Sequence, residues 1–328
     1  MTVRHASVIA FVWACLPAGV WGQGSPSSVN SFPSRPIRLL LGVPPGGGTD
    51  VLARIVANEF LRNLGQPVVL DNRPGAGHTI ASEIVASAQP NGYTLQMANA
   101  NHTLNPFVYD KLPYDTERDF TFITQIVTQP LVLVVNASFP VSSTKDLIAM
   151  AKAKPGALSG GTAGTAGAGA LTMQMFRQQT GTDFVVVPYK GGAQAVVGVL
   201  QGEVQFFFSS MTTSMAAIKS GRLKVLGTSS KVRLASLPDV ATFQEAGLQG
   251  LDFAPWEGLI APARTPRAVV DRLHREVVRL LKLPDVLASL AAGGSYPVGS
   301  SPDEFAAEIR HQLDLFSRVF KTAKIKRE

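Results

Sequence analysis

Short apolar strand segments alternate with amphipathic helical segments from Pro36 to the C-terminus. In the first strand, over residues 37–43, every second side chain is apolar, as in a half-buried strand. A helix with one apolar stripe follows at once, and Gly65 stands where a left-handed residue is expected to end it. Because each helix returns the chain to the same edge of the sheet, this alternation predicts an α/β fold with largely parallel sheets.

The second half of the chain repeats the order of the first half. Phe122–Val135 is strand-like on both sides of Pro130, which makes this stretch the first place where the chain can cross between lobes. A new series of helices and strands follows, and we therefore expect two α/β lobes. Their expected boundaries are residues 33–128 plus 255–328 for the first lobe and residues 129–254 for the second.

Several helix starts carry capping signals. Thr49 and Thr265 are expected to be N-caps, and Pro266 is expected at the first helical position. Ser301 and Glu304 have the spacing of a capping box, which predicts a C-terminal helix that begins there.

Residues 1–24 differ in composition from the rest of the chain. Arg4 and His5 precede the apolar run Ala6–Val20, which ends among small residues, and this pattern predicts a secretory signal peptide and a periplasmic protein. The run is shorter than the roughly 20 apolar residues of a membrane span, although an uncleaved anchor stays open. Cys15, the only cysteine, lies inside this segment, so the mature chain has no thiol for a disulfide or a metal site. Whether Cys15 is lipidated stays open.

The charge of the chain favours small anions over nucleic acid as partners. The formal net charge is +7 over 328 residues, and the basic residues are scattered until a short run at Lys321–Arg327. Scattered positive charge attracts anions, whereas nucleic-acid binding usually needs a basic stripe with interleaved aromatic residues. We therefore expect no nucleic-acid partner.

A glycine-rich turn, Pro44–Asp50, joins the first strand to the first helix. Such a turn directs backbone N–H groups and the positive end of the helix dipole at one spot, which attracts an anion. The turn lacks the lysine of a phosphate-binding loop, and the chain has no dinucleotide fingerprint. A purely structural tight turn is the alternative, and Asp50 in the first helical turn is expected to stabilise the dipole.

A second glycine-rich turn follows the strand Leu158–Thr162 and occupies residues 163–169. Ligands of open α/β sheets bind beyond the carboxyl ends of the strands, so two such turns can enclose one small anion. Taken alone, the alanine and glycine content of this stretch is equally typical of a simple turn.

Signatures of hydrolases and metalloenzymes are absent from the sequence, so we expect no catalytic residue, metal or cofactor. His102 is the one histidine expected near a cleft, and a capping or loop role is as compatible with its position as ligand contact. His78 is interpreted as a loop residue, and His274 and His311 as solvated helix residues. Trp256 stands at the expected return crossing, where it either lines the cleft or braces the hinge.

Short motifs run in a fixed order through nearly the whole chain after residue 35. They are Pro36–Arg38, Pro44–Asp50, Leu64–Val69, Asn72–Gly77, Pro90–Leu95, Leu112–Asp115, Val187–Gly191, Leu237–Val240, and Ala261–Pro262 with Thr265–Arg267. In this order they resemble the Bug-type solute-binding proteins, the receptors of tripartite tricarboxylate transporters. The resemblance implies a two-lobed periplasmic binding protein of type II-like fold, with the ligand cleft between two lobes of mixed or parallel sheet.

The resemblance also implies how the ligand is held. Family members bind a ligand carboxylate through backbone groups of two facing turns and through bridging waters. Carried over to this sequence, the ligand-binding residues are Val43, Pro44, Gly46, Thr49, Asn99, Asn101, Gly161, Thr162, Ala163, Gly164, Thr165 and Ser209.

The chain departs from the family pattern at several positions. Many relatives have aspartate and asparagine where Ser209 and Ser210 stand, histidine at the position of Ala170, and phenylalanine at the position of Glu257. An amine-bearing ligand thereby loses an obvious counter-charge. The far end of the pocket is expected to be altered, so the identity of the carboxylate is left open.

These observations predict a monomeric receptor that captures a small organic carboxylate and delivers it to integral-membrane permease subunits or to a sensor protein. A receptor that serves only a signalling partner is the alternative. A second alternative is a secreted enzyme that uses Asp50 and His102 for acid–base chemistry.

Overall fold

The structure is a computed structural model that describes residues 32–164 and 167–323. The expected signal peptide lies outside the described residues. Within the described part of the chain, no helix is long and apolar enough to cross a membrane.

Strands and helices alternate along the described residues. The strands are β1 Ile37–Leu41, β2 Val68–Asn72, β3 Thr94–Asn99, β4 Phe120–Thr128, β5 Leu131–Asn136, β6 Ser159–Ala163, β7 Val185–Tyr189, β8 Phe206–Ser210, β9 Leu223–Thr228, β10 Trp256–Pro262 and β11 Tyr296–Pro297. The α-helices are α1 Gly48–Leu64, α2 Thr79–Ala86, α3 Asn101–Val108, α4 Thr144–Ala153, α5 Ala168–Thr180, α6 Gly192–Gln201, α7 Met211–Lys219, α8 Arg267–Leu280, α9 Pro284–Ala292 and α10 Pro302–Ala323. A 3₁₀ turn at Ala76–His78 precedes α2.

The strands form two mixed sheets, which confirms the two-lobed α/β fold. The first sheet has the order β11-β4-β10-β3-β1-β2, and the second has the order β7-β6-β8-β5-β9. In the first sheet β1 runs parallel to β2 and β3, whereas β10 is antiparallel to β3 and β4. In the second sheet β6 runs parallel to β7 and β8, whereas β5 is antiparallel to β8 and β9.

The sheets are mixed because the chain leaves the first sheet after β4 and returns to it as β10. The two crossing segments lie side by side, and the backbone N–H of Gln129 donates to the carbonyl of Pro255 at 2.7 Å. The returning strand β10 inserts between β3 and β4, where all seven of its residues are buried. Helix periodicity alone does not reveal such an insertion, and the expectation of largely parallel sheets holds only for part of each sheet.

Three consecutive phenylalanines on β8 point to alternate faces of the second sheet and pack into the core on each face. Phe206 and Phe208 pack with Phe176 of α5 on one face, and Phe207 packs with Val132 of β5 on the other. This division follows from the two-residue period of a strand. Complete burial of each ring stabilises the fold by about 1.5–3 kcal/mol relative to exposure.

Helix α10 contributes to the cores of both sheets. Phe305 and Ile309, in its first half, belong to the core of the first sheet. Phe316 and Val319, in its second half, belong to the core of the second sheet. The helix begins with the expected capping box, in which Ser301 Oγ accepts from the N–H of Glu304 at 3.2 Å.

Two expected N-caps are wrong. Helix α1 begins at Gly48 with Gly47 as its N-cap, and the hydroxyl of Thr49 donates instead to a glutamate on β10. Helix α8 begins at Arg267 with Pro266 as its N-cap, and the hydroxyl of Thr265 donates back to the carbonyl of Pro262. In both cases a tertiary or turn hydrogen bond uses the hydroxyl that was expected to cap the helix.

Candidate functional site

The turn between β1 and α1 is fixed by the carboxylate of Asp50. This carboxylate accepts from the backbone N–H of Gly46 at 3.1 Å, from Arg54 Nε at 2.8 Å and from Asn72 Nδ2 at 3.2 Å. The guanidinium of Arg54 holds the pKa of Asp50 below its ordinary value, and the Gly46 hydrogen bond adds to this effect. Asp50 is therefore an ionised brace of the turn, with its charge matched by Arg54.

The bracing decides which backbone groups of the turn are free to meet a ligand. The N–H of Gly46 already donates to Asp50, and the carbonyl of Val43 accepts from Asn72 Nδ2 at 3.0 Å. Residues 44–48 are exposed, and the first hydrogen bond of α1 runs from Val51 to Gly47. The N–H groups of Gly48, Thr49 and Asp50, which come before this bond, consequently have no partner within the helix.

The 3₁₀ turn before α2 approaches the end of β1 closely. A Cβ on Gly42 would lie 2.5 Å from Cβ of His78, so only glycine fits there. His78 adopts a left-handed conformation with φ of 79°, and its Nε2 lies 3.4 Å from Nδ2 of Asn99. Burial lowers the pKa of His78, which keeps the ring neutral and makes it a support for Asn99.

Asn99 and Asn101 line a cavity of about 120 Å³ where the two halves of the chain meet. Asn99 ends β3, and its Oδ1 accepts from the backbone N–H of Asn101 at 3.1 Å. The cavity wall includes Asn99, Asn101, Gln129, Ala168, Trp256 and Glu257. It thus joins the first sheet, the crossing segments and the start of α5, the helix that follows the second glycine-rich turn.

Glu257 is a buried carboxyl group in the wall of this cavity. It lies on β10 opposite Asn99 of β3, and only 6% of the residue is exposed. Its Oε1 accepts from Thr49 Oγ1 at 2.6 Å, which joins β10 to the first turn of α1. Burial raises the pKa of the Glu257 carboxyl, and the hydrogen bond from Thr49 opposes that rise.

Glu257 was not among the residues predicted to bind the ligand. The signal that marks it is its charge, because every other residue of the strand Trp256–Pro262 is apolar or glycine. The resemblance marked the position as unusual, but it did not place the carboxyl group beside Thr49 and Asn99.

The second glycine-rich turn is fixed by one hydrogen bond from the end of β6 and one to the end of β7. Thr162 Oγ1 donates to the carbonyl of Gly164 at 2.7 Å, and the N–H of Gly164 donates to the carbonyl of Tyr189 at 2.8 Å. Gly161 and Thr162 are buried in β6, whereas Ala163 is exposed. Thr165, another predicted ligand-binding residue, lies outside the described residues.

Ser209 is enclosed within the second half of the chain. It is fully buried, its hydroxyl donates to the carbonyl of Ser210, and it accepts from Ser214 Oγ at 2.6 Å. The hydroxyl of Ser210 caps α7 by accepting from the N–H of Thr213. These hydroxyls thus take part in hydrogen bonds around the start of α7.

His102 lies in α3 within the core of the first sheet, away from the position expected for it near a cleft. Its ring stacks on Tyr114 and meets the edge of Phe120 at a centroid distance of 4.7 Å. Nε2 lies 3.0 Å from the carbonyl oxygen of Thr116, and burial lowers the pKa of His102 to about 4. The acid–base pair of Asp50 and His102 considered for a secreted enzyme has no support, because each group is engaged with different partners.

Trp256 both lines the cavity and braces the crossing. Its indole N–H donates to Gln312 Oε1 at 2.8 Å, and its ring packs edge-on against Phe305. Gln312 also accepts from Thr103 Oγ1 at 2.9 Å, so α3, β10 and α10 meet at one amide. Across residues 32–164 and 167–323, no group of three or more His, Cys, Asp or Glu residues is arranged to hold a metal ion.

Comparison with known proteins identifies a matching family and several similar proteins. The sequence model of one protein family, the tripartite tricarboxylate transporter family receptor, matches residues 52–324. Protein BugT of Bordetella pertussis is 32% identical over 302 residues, a match that covers 92% of this chain and 93% of BugT.

Two solved structures with bound ligands share the fold. R. palustris Rpa4515 with adipate has a TM-score of 0.72 and 31% identity, over 90% of this chain and 100% of that chain. MatC (Rpa3494) from Rhodopseudomonas palustris with bound malate has a TM-score of 0.67 and 28% identity, over 88% of this chain and 99% of that chain.

Proposed function

The chain belongs to the tripartite tricarboxylate transporter receptor family, and we propose that it is a periplasmic receptor that captures a small organic carboxylate between its two lobes. The observation that carries this proposal is the cavity lined by Asn99 and Glu257 of the first sheet, Asn101 of α3 and Ala168 of α5. The adipate and malate in the two related structures agree with a carboxylate as the ligand.

The start of α1 is the proposed anchor of the carboxylate. The N–H groups of Gly48 and Thr49 have no intrahelical partner, and the helix dipole favours a negative charge at this end. Hydrogen bonds from N–H groups to a carboxylate are charge-assisted, so no arginine is needed to hold it. Asp50 keeps the turn in place, and Arg54 offsets its negative charge.

The remaining predicted contact residues belong to the same proposal. From the first half of the chain they are Val43, Pro44, Gly46, Thr49, Asn99 and Asn101, and from the second half Gly161, Thr162, Ala163, Gly164, Thr165 and Ser209. Because the N–H groups of Gly46 and Gly164 are already used, we propose that these two residues shape the turns and that water bridges the second turn to the ligand.

We propose that the lobes comprise residues 33–128 plus 255–328 and residues 129–254. The crossing segments around Gln129 and Pro255 are then the hinge, and closure brings the two turns toward each other. The receptor acts as a monomer in the periplasm after export and passes its ligand to membrane permease subunits. Deletion of the permease subunits distinguishes transport from delivery to a sensor. If the receptor serves transport, uptake of the carboxylate is lost, whereas a signalling response through a sensor would remain.

The anchor is tested by removing one N–H group without breaking the helix. Gly48 is the first helical residue, where proline is tolerated, and Gly47 already has the extended conformation that precedes proline. We expect Gly48→Pro to weaken carboxylate binding about tenfold to a hundredfold, because a hydrogen bond to a charged group contributes about 1.5–3 kcal/mol. Isothermal calorimetry of residues 25–328 with mono-, di- and tricarboxylates measures this loss.

Gly48→Ala is the matched control, because it keeps the N–H and its Cβ meets no atom within 4 Å. We expect it to weaken binding by less than about threefold, as typical of a surface substitution. Equal affinities of the proline and alanine variants contradict the anchor. Absence of binding heat for every carboxylate contradicts the receptor function itself.

A further inference from the structure

The ionisable group in the wall of the cavity is an acid. Glu257 shares the cavity with the amides of Asn99, Asn101 and Gln129, and no lysine, arginine or histidine is among the described residues that line it. Asp50 nearby is paired with Arg54, whereas the hydrogen bond described for the Glu257 carboxyl comes from the neutral hydroxyl of Thr49. The cavity therefore holds a carboxyl group without a basic counterpart.

This acid lies next to the proposed carboxylate anchor. Thr49 is in the first turn of α1, and its hydroxyl is 2.6 Å from Glu257 Oε1. A ligand carboxylate at the start of α1 is thus within a few atoms of Glu257. Two like charges at this separation repel each other in a partly buried site, and a positive group placed between them is attracted to both.

The other walls of the cavity suit a positive group as well. Asn99, Asn101 and Gln129 present amides with carbonyl oxygens, and Phe253 and Trp256 contribute aromatic rings. Amide oxygens and aromatic faces both interact favourably with an ammonium group. The NH2 groups of the same amides can donate to a carboxylate, but no described lining residue offers a positive charge to offset a second one.

We propose that Glu257 is a specificity-determining residue that selects ligands with a protonated nitrogen close to the carboxylate, so that the receptor takes a short zwitterion such as an amino acid. This inference rests on the proposed carboxylate receptor and specifies its ligand class. The start of α1 holds the carboxylate, and Glu257 compensates the ammonium group.

The raised pKa of Glu257 agrees with a buried carboxyl group whose described hydrogen-bond partner is neutral. Without a counter-charge, burial favours the protonated carboxyl. A bound ammonium group favours the ionised form, so binding of a zwitterion lowers the pKa of the Glu257 carboxyl. The groups that face Glu257 are the neutral Thr49 of α1 and Asn99 of β3, with the Asp50–Arg54 pair one residue further along α1.

Matched ligand pairs test the selection. Calorimetry of residues 25–328 compares glycine with acetate, β-alanine with propionate, alanine with lactate, and amino acids with succinate and malonate. We expect the aminated member of the best pair to bind at least about tenfold more tightly, as for a charge-assisted contact. Glu257→Gln keeps the shape and the acceptor for Thr49, and we expect it to lower this preference at least about tenfold.

Two further variants keep the test decisive. Glu257→Asp retains the charge and is expected to retain the preference, and Glu83→Gln changes an exposed glutamate on α2 and is expected to leave it unchanged. Wild-type protein that binds amine-free carboxylates as tightly as their aminated partners overturns the inference and leaves the receptor function standing. An amine preference that survives in Glu257→Gln also overturns it, whereas a lack of binding to any carboxylate counts against the receptor function itself.

Discussion

Asp50 and Glu257 are both buried carboxyl groups beside the start of α1, and their surroundings give them different roles. Asp50 faces Arg54 and the N–H of Gly46, which lower its pKa, so it is ionised and holds the turn. Glu257 faces Thr49 and the cavity, and burial raises its pKa. Two carboxyl groups beside one helix start thus differ because Asp50 has a cationic partner and Glu257 has a neutral one.

The buried ring of His102 makes stability depend on pH. Burial lowers the pKa of His102 to about 4 from its ordinary value of 6.5, so the unfolded chain binds more protons between these values. The neutral His102 ring therefore makes its full contribution to the free energy of unfolding above pH 6.5, and this contribution is lost as the pH falls toward 4. We expect a loss of about 2–3 kcal/mol between pH 7 and pH 4.5.

Urea unfolding of the wild type and of His102→Gln at pH 7 and pH 4.5 measures this contribution. The substitution removes the titrating group, so the stability gap between the two proteins is expected to narrow by about 2 kcal/mol at the lower pH. Parallel pH profiles of the two proteins contradict the assignment of His102 to the core.

At the scale of elements, helix α10 depends on a shared amide. Gln312 accepts from Trp256 Nε1 and from Thr103 Oγ1, and it is buried. Gln312→Leu leaves the indole N–H without an acceptor, and we expect it to lower the free energy of unfolding by about 1–3 kcal/mol. Urea denaturation measures this free energy of unfolding. Gln178→Leu, at an exposed position of α5, is the control, and we expect its free energy of unfolding to stay within about 0.5 kcal/mol of wild type. Equal stabilities of the two variants argue against the bracing role of Gln312.

Local sequence patterns predicted most elements but not the hydrogen bonds between them. The capping box of Ser301 and the left-handed end of α1 at Gly65 depend on neighbouring residues, and both are confirmed. The capping by Thr49 is wrong because its hydroxyl binds Glu257, which is 208 positions away in the chain. Helix α3, an eight-residue helix that contains Pro106, has weak local propensity and was not predicted.

At the scale of the whole molecule, the chain crosses between its two sheets more than once. Gln129 and Pro255 join the two backbone crossings, and α10 packs Phe305 into one core and Phe316 into the other. The two-sheet architecture was predictable from the repeated order of strands and helices. The position of the acid in the cavity was not, because β10 reaches β3 only after the chain has returned from the second sheet.

A crystal structure of residues 25–328 with the tightest-binding carboxylate would show directly where the ligand is held. We expect ligand density in the cavity lined by Asn99 and Glu257, with one carboxylate oxygen about 2.7–3.1 Å from the backbone nitrogen of Gly48 or Thr49. A carboxylate bound elsewhere, or held by side chains away from the start of α1, contradicts this expectation.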